Sequence, residues 1–516
     1  MILQKERSNT PLSFCTSMKF LVLAVIILSL SSKEIFAAAP EKGVGVNLNS
    51  IADWAPATVF VDIMKSARKW HSKRQGVEMF DTGEPLQLKD GWISRFKPGQ
   101  YAESMMSWGR GTETIPAGTY DLFYRGKGKF KFIHDARIIS QDENSARIKI
   151  SPKKGIAFQL LESDPEDPLR DFSLIMPGHK NTYLKQPFNQ DYISYLEKFD
   201  FRVVRFMDWM ATNNSPLVSW ENRTKKNTFS QASKHGVAYE YIYEFSNILN
   251  VAPWITIPHM ADNSYVQKLA RLFKDNLAPS LNVYVEYSNE TWNGGFSQTN
   301  YQKIMADENG LGEGYKYYVK RSSEVMEIFE QVFGSSDRLV RIISGQFVNT
   351  WRNGQILKEA ASYGNFDAFA IAPYFGHAVG EKMKALKQVE QLTNEQTIAK
   401  LLHESLSEWE KSVRGNVALS EKYDLPLISY EAGQHITGQL YGVPICTSLN
   451  NSPAMYDIYR EMLTKWQKLT GDALFMQFSG ISNYGNSGCW GMAQTLQKNA
   501  PQTPKERAVF DQYNQK

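Results

Sequence analysis

The sequence predicts an α/β fold, a (β/α)8 TIM barrel with an inserted β-sandwich domain after its first β/α unit. Three observations predict it. From about residue 179 onward, short β-branched and aromatic runs alternate with amphipathic stretches of helical spacing. Between residues 76 and 178 that alternation gives way to period-two strands separated by turn residues. Two glutamates, Glu290 and Glu431, each close a strand-like run, at the strand tips where such barrels assemble their active sites.

Residues 1–37 read as a signal peptide rather than as structure. Lys19 precedes the apolar run Leu21-Val-Leu-Ala-Val-Ile-Ile-Leu-Ser-Leu, which has signal-peptide length and is short for a membrane span. Met18-Lys19 would open a conventional signal by itself, and Ala37 offers a small-residue cleavage site before Ala38. The expected mature protein is secreted or periplasmic, without a membrane span.

The first part of the barrel occupies residues 38–75. Gly43-Val-Gly-Val-Asn47 is its first strand, and residues 57–70 have helical spacing. The insertion at 76–178 contains strand patterns at 127–133, 146–151 and 155–161. Two roles suit it, carbohydrate binding and walling a cleft. Residues 179–516 form the remainder of the barrel. A short helix at 191–199 leads into a strand at 201–206, followed by a strand at 251–257 and a helix at 264–275. After the Glu290 strand come a helix at 315–333, a strand at 339–344, a helix at 356–363 and a strand at 366–374. A long charged helical segment at 379–422, the Glu431 strand, a helix at 455–469 and a strand at 473–478 complete eight strands.

Composition excludes several classes. The formal charge of +4 includes Lys5, Arg7, Lys19 and Lys33 against Glu6 and Glu34, so roughly +2 remains beyond residue 37, with no basic stripe for nucleic acid. The chain has no Gly-x-Ser-x-Gly elbow, no Walker loop and no His-Glu-x-x-His, and its 8 histidines are scattered. Neither a cofactor nor a catalytic metal is expected. Of the 3 cysteines, Cys15 lies in the leader; Cys446 and Cys489 follow the last two barrel strands, where a disulfide and free buried thiols are both open.

The two glutamates carry the chemistry. Glu290 lies in Asn282-Val-Tyr-Val-Glu-Tyr-Ser-Asn-Glu-Thr-Trp-Asn, and Glu431 in Leu425-Pro-Leu-Ile-Ser-Tyr-Glu-Ala-Gly-Gln-His. Two carboxyl groups facing one another are what retaining glycoside hydrolysis requires, one as proton donor and one as nucleophile. Among the 12 tryptophans, Trp292 lies two residues past Glu290, where sugar stacking and rim packing both fit. His259 closes the third strand, as a substrate contact or as a loop-bonded structural histidine; His435 is a weaker candidate of the same kind. Asp208 and Trp209 follow Arg205 into a loop that would line the cleft.

Ser288-Asn289-Glu290 at the end of strand four, with Glu431 at the end of strand seven, resembles the large clan of retaining (β/α)8 glycoside hydrolases that includes cellulases, mannanases and β-galactosidases. The stretch from Pro253-Trp-Ile-Thr-Ile-Pro-His-Met-Ala-Asp262 to Asn293 also resembles little-characterised secreted bacterial proteins related to that clan. The resemblance implies Glu290 as general acid/base and Glu431 as nucleophile. It further implies Arg205 as the cation beside the nucleophile, Asn289 as a contact to the sugar 2-hydroxyl, and Tyr374 as a hydrogen-bond donor to the nucleophile. The clan commonly ends strand eight with a tryptophan, whereas this strand reads Leu474-Phe-Met-Gln-Phe-Ser-Gly480; Trp490, in the following loop, is the candidate substitute. An exported carbohydrate-binding protein without turnover and a transglycosylase are the competing readings.

Overall fold

The computed structural model describes residues 38–109, 114–385, 395–496 and 501–514. The expected leader lies outside them. Eight parallel strands form one nearly closed barrel in chain order: β1 (Val44–Asn47), β2 (Phe201–Arg205), β3 (Ala252–Ile257), β4 (Val283–Tyr287), β5 (Leu339–Ser344), β6 (Ala368–Ile371), β7 (Leu427–Ser429) and β8 (Phe475–Gln477). β8 pairs with β1, and β7 meets β8 through the Ser429 N–H on the Leu474 carbonyl (3.0 Å) and a parallel bridge between Ala432 and Gln477.

Strand alternation sorts the side chains. Val203, Trp254, Tyr284, Ile342, Ala370, Ile428 and Met476 form one buried cluster, while neighbours such as Val204, Ile255, Val285, Ile343 and Phe475 belong to another, packed with helix residues. The first set fills the barrel; the second faces its helical jacket. Gly45 points where there is no room for a side chain, since a Cβ would lie 2.3 Å from Met476 Sδ and 2.6 Å from the Val203 carbonyl. By the same period-two rule, Arg205 follows Val203 into the barrel and Glu286 follows Tyr284.

The jacket comprises α1 (Gln190–Leu196), α2 (Tyr239–Leu249), α3 (Asn263–Asn276), α4 (Ser297–Glu308), α5 (Gly314–Phe333), α6 (Thr350–Ala360), α7 (His377–Ala385), α8 (Glu395–Tyr423), α9 (Gly438–Tyr441), α10 (Val443–Asn451), α11 (Pro453–Thr470) and α12 (Pro504–Tyr513). α3 illustrates the local logic. Asp262 caps its start by accepting from the Tyr265 N–H, and Tyr265, Val266, Leu269, Ala270 and Phe273 form its buried stripe. Leu269→Ala there would cost about 2–5 kcal/mol.

The helix expected over residues 57–70 does not form. Only a 3-10 turn, Ile63–Ser66, occurs, and the preceding residues are extended. Val59 and Val61 engage the chain that returns from the insertion: the Val61 N–H donates to the Pro187 carbonyl (2.9 Å) and the Asn189 N–H to the Val59 carbonyl (2.7 Å). Long-range pairing by β-branched residues overrides the helical spacing. The long excursion therefore leaves from β1 before any helix of that unit, and α1 follows its return.

Within the excursion are two four-stranded antiparallel sheets. One contains His71–Arg74, Gln100–Trp108, Gly155–Ser163 and Gly128–His134; the other contains Arg170–Ile175, Gly118–Arg125, Ser145–Ile150 and Ala136–Gln141. Their buried faces share one core that includes Tyr120, Phe130, Ile148, Phe158 and Phe172. Phe158 and Phe172 stand 4.8 Å apart between ring centroids, so aromatic residues of this region pack together inside it.

Candidate active site

The strand tips bring a buried ionic network together. Arg205, at the end of β2, donates from Nη1 to Glu431 Oε1 at 2.7 Å and from Nη2 to Glu286 Oε2 at 2.9 Å. The same guanidinium donates to Asn289 Oδ1 at 2.8 Å and Asn47 Oδ1 at 3.2 Å. Tyr430 also lies beneath it, its ring centroid 5.1 Å from the guanidinium carbon. Burial opposes charge on Arg205, but Glu286 and Glu431 outweigh it and hold its pKa above the ordinary arginine value.

Glu431 lies just past β7. Its Oε1 is taken by Arg205 and its Oε2 accepts from Tyr374 Oη at 2.9 Å. Burial pushes its carboxyl upward, while Arg205 and Tyr374 favour the anion. Glu290 lies three residues past β4, and among the described residues no cation contacts it. Its Oε1 accepts from Tyr430 Oη at 3.2 Å and its Oε2 from Asn293 Nδ2 at 2.9 Å. Burial and the charge of Glu431 push Glu290 up to about 7. The backbone that presents it is unusual for side-chain-bearing residues: Ser288 has φ 63° and Glu290 φ 40°. Left-handed geometry at such positions costs about 1–3 kcal/mol each and clusters at functional sites.

Asn289 sits between those two residues with both ends of its amide engaged, Oδ1 by Arg205 and Nδ2 by Asn213 Oδ1 at 3.0 Å. Buried Gln298, at the start of α4, locks the arrangement by donating to Asn213 Oδ1 and to the Asn289 carbonyl, each at 2.8 Å. Asp208 is half-buried and pushed up to about 7 by burial and by the Glu431 charge, with Arg205 opposing.

The structure thus joins Arg205, Asn289, Tyr374 and Glu431 in one network and links Glu290 to it through Tyr430. His435 lies beside that network, its ring centroid 5.4 Å from Tyr374 and 5.6 Å from Trp490. Burial lowers its pKa to about 4, so it is neutral near pH 7. Trp490 also packs against Phe478 at 5.5 Å. Trp292 and Trp490 are half-buried, and the buried indole N–H of each has no acceptor among the described residues. His259 is outside the network: it is buried, packs edge-on against Tyr301 at 5.1 Å, and is lowered to about 4.

Trp209 departs from expectation. It is completely buried, donates to the Asn49 carbonyl at 3.1 Å and packs 5.1 Å from Phe245, so it supports the rim instead of lining a cleft. Cys446 and Cys489 are joined by a disulfide with a Cα–Cα distance of 6.4 Å, which ties α10 to the loop after β8. Lys505, at the start of α12, braces the same loop by donating to the Cys489 carbonyl at 3.1 Å.

Sequence reasoning passed over Glu286, Asn47, Tyr430, Ser344 and Asn293. Glu286 was the one with a signal: a carboxylate flanked by Val285 and Tyr287 in a fully buried strand requires partners. It has them in Arg205, Trp254 Nε1 at 2.9 Å and Ser344 Oγ at 2.7 Å.

The chain is an eight-stranded α/β barrel with an ionic carboxyl cluster at the carboxyl ends of its strands. No family model matches it, and no curated protein does either. Among solved structures it is similar to the GH51 arabinofuranosidase from Xanthomonas axonopodis pv. citri, at 15% identity and a TM-score of 0.39, covering 64% of this chain and 66% of that one. It is also similar to the CBM22-1–GH10 modules of the Clostridium thermocellum endo-1,4-β-D-xylanase 10B, at 9% identity and a TM-score of 0.37, covering 89% and 97%. A third is the 4-O-α-L-rhamnosyl-β-D-glucuronidase from Fusarium oxysporum, at 8% identity and a TM-score of 0.40, covering 62% and 63%. The fold rests on the barrel's own strand order.

Proposed function

We propose that this protein is a retaining glycoside hydrolase acting on β-linked poly- or oligosaccharides, with Glu431 as nucleophile and Glu290 as general acid/base. The observation that carries this reading is the contrast between the two carboxyls. Burial raises both carboxyls, but at Glu431 Arg205 and Tyr374 oppose that rise and favour the anion, whereas Glu290 has no such clasp and is pushed up to about 7. In the first step, Glu431 attacks the anomeric carbon as Glu290 protonates the leaving oxygen, and the glycosidic bond breaks. In the second, Glu290 takes a proton from water, whose oxygen displaces Glu431 from the sugar. This mechanism requires carboxyls about 5–5.5 Å apart in the substrate complex.

Arg205 and Tyr374 position and charge-balance the nucleophile. Asn289, whose Nδ2 carries a second proton, has a donor for a sugar hydroxyl. Trp292 and Trp490 supply half-buried aromatic surface, and His259 is a further candidate contact. The domain reading is a signal peptide at 1–37, barrel segments at 38–75 and 179–516, and a β-sandwich at 76–178. The antiparallel strand from His71 supports starting that insertion a few residues earlier. The leader supports a secreted or periplasmic location; among the described residues, no helix is long and apolar enough to cross a membrane.

The test is release of reducing ends from a panel of β-linked polysaccharides, with Glu431→Gln as control and product stereochemistry read by NMR. Release by the unaltered chain alone, with retained anomeric configuration, is expected. Equal release by Glu431→Gln sinks the assignment, and binding without release across the panel favours a carbohydrate-binding protein.

A further inference from the structure

We propose that a pocket walled by the inserted sheets and by the loops after β1 and β2 binds saccharide units of the substrate chain beyond the catalytic centre, with Trp54 as its stacking platform. This deepens the glycosidase reading and rests on it. The pocket has a volume of about 1010 Å³, at the upper end of ordinary ligand sites.

Its position follows from the rim. Trp54 lies in the loop that leaves Asn47, which touches Arg205. The Trp54 carbonyl accepts from Asn483 Nδ2 at 3.0 Å, so the loops after β1 and β8 meet there. The opposite wall includes Phe229, Ser230 and His235, and it is anchored where the Val237 N–H donates to the Trp209 carbonyl at 2.7 Å. Trp209 itself follows Arg205 and bonds the Asn49 carbonyl. Both walls are therefore extensions of the segments that carry the residues around Glu431, on the same face of the barrel.

The lining suits a sugar ring. Trp54 is 55% exposed, an unusual state for so large an apolar surface. It is nonetheless held in place: buried Asp53 grips Arg68 by two hydrogen bonds of 3.0 and 2.8 Å, and the Arg68 guanidinium lies 5.1 Å from the indole centroid. Trp70 stacks on Phe229 of the opposite wall at 4.4 Å and adds buried apolar surface to the lining. Leu88, 52% exposed, lines the same pocket from a two-stranded hairpin of Gln87–Lys89 and Trp92–Arg95. The polar lining is supplied by Lys69, Asp81, Glu84, Lys234 and His235, while the Ser230 hydroxyl is turned inward onto the Ala67 carbonyl. An aromatic plate for the C–H face of a pyranose, with polar side chains around it to meet the sugar hydroxyls, is the chemistry by which proteins hold sugars.

Affinity electrophoresis tests the site in the full chain carrying Glu431→Gln, so that polymer is not consumed. The gels contain hydroxyethylcellulose, glucomannan, galactomannan or arabinoxylan. At least one polymer is expected to retard the protein, Trp54→Ala to weaken that binding about ten-fold, and Leu88→Ser to weaken it in the same direction, with unchanged urea midpoints. Absence of retardation by all four polymers, or equal retardation with and without Trp54, overturns the proposal. Trp54-dependent retardation with no Glu431-dependent release of reducing ends leaves the saccharide site standing and sinks the glycosidase reading. Glu431-dependent release with Trp54-independent retardation does the reverse.

Discussion

Arg205 and Glu431 are joined by a 2.7 Å hydrogen-bonded ion pair, and the same guanidinium holds Glu286 at 2.9 Å. One buried cation is thus shared by two carboxylates. Removing it by Arg205→Met would strand both, at a cost of about 3–5 kcal/mol in urea unfolding. Adding Glu286→Leu should recover part of that loss, because one of the stranded charges disappears. A single variant within about 0.5 kcal/mol of the unaltered protein would show that the pair is not held as described.

The charge balance around Glu431 should be visible in pH profiles. Glu286 repels the anion of Glu431, and Tyr374 stabilises it. Glu286→Gln is therefore expected to move the acid limb of kcat/KM to lower pH, and Tyr374→Phe to move it to higher pH. Shifts in the same direction for both variants would contradict this account.

Glu290, pushed up to about 7, sets the opposite limb: activity should fall as pH rises through about 7, when the proton donor is lost. Stability follows the same group. The folded state holds this proton more tightly than the unfolded chain does, so the associated stability is complete below about pH 4.5 and is lost as pH rises to about 7. Glu290→Gln should therefore raise the unfolding free energy at pH 8, by up to roughly 3 kcal/mol, and change it little at pH 4. Thermal or urea unfolding at the two pH values checks the difference.

Removal of the acid/base by Glu290→Ala is expected to slow unactivated glycosides by about 10²–10⁴-fold while sparing dinitrophenyl glycosides in their first step. Added azide should then restore turnover and yield a glycosyl azide of retained configuration, detectable by mass spectrometry and NMR. Full activity on unactivated substrates would remove Glu290 from the mechanism.

The Cys446–Cys489 disulfide spans 43 residues of sequence and ties α10 to the loop bearing Trp490. Replacing both cysteines by alanine should lower stability by about 2–4 kcal/mol, measured by urea unfolding under non-reducing conditions. Unchanged stability would mean that the bridge does not constrain the unfolded chain.

Much of the barrel was legible because its strands obey a local rule. Buried parallel strands read as short apolar runs, and period-two alternation then sends Val203, Arg205, Tyr284 and Glu286 inward. Arg205, Asn289 and Tyr374 were singled out through the resemblance; Arg205 and Tyr374 contact Glu431, and Asn289 joins them by accepting from Arg205. The residues 57–70 were misread because their helical spacing competes with partners more than a hundred positions away, at Pro187 and Asn189. Trp209 was misplaced because a rim position does not reveal whether an indole faces solvent or Phe245.

By itself the sequence determined the alternation of strands and helices, the interruption of that alternation after β1, and the presence of two carboxyls at strand tips. These depend on periodicity and on residue type, which are local properties. The tertiary structure decided which charges share a cation, which neighbours favour or oppose ionisation of each carboxyl, and where the walls of the Trp54 pocket meet. Those depend on burial and on distances between Asn47, Arg205, Glu286, Glu290 and Glu431, set only when β1, β2, β4 and β7 close around one interior.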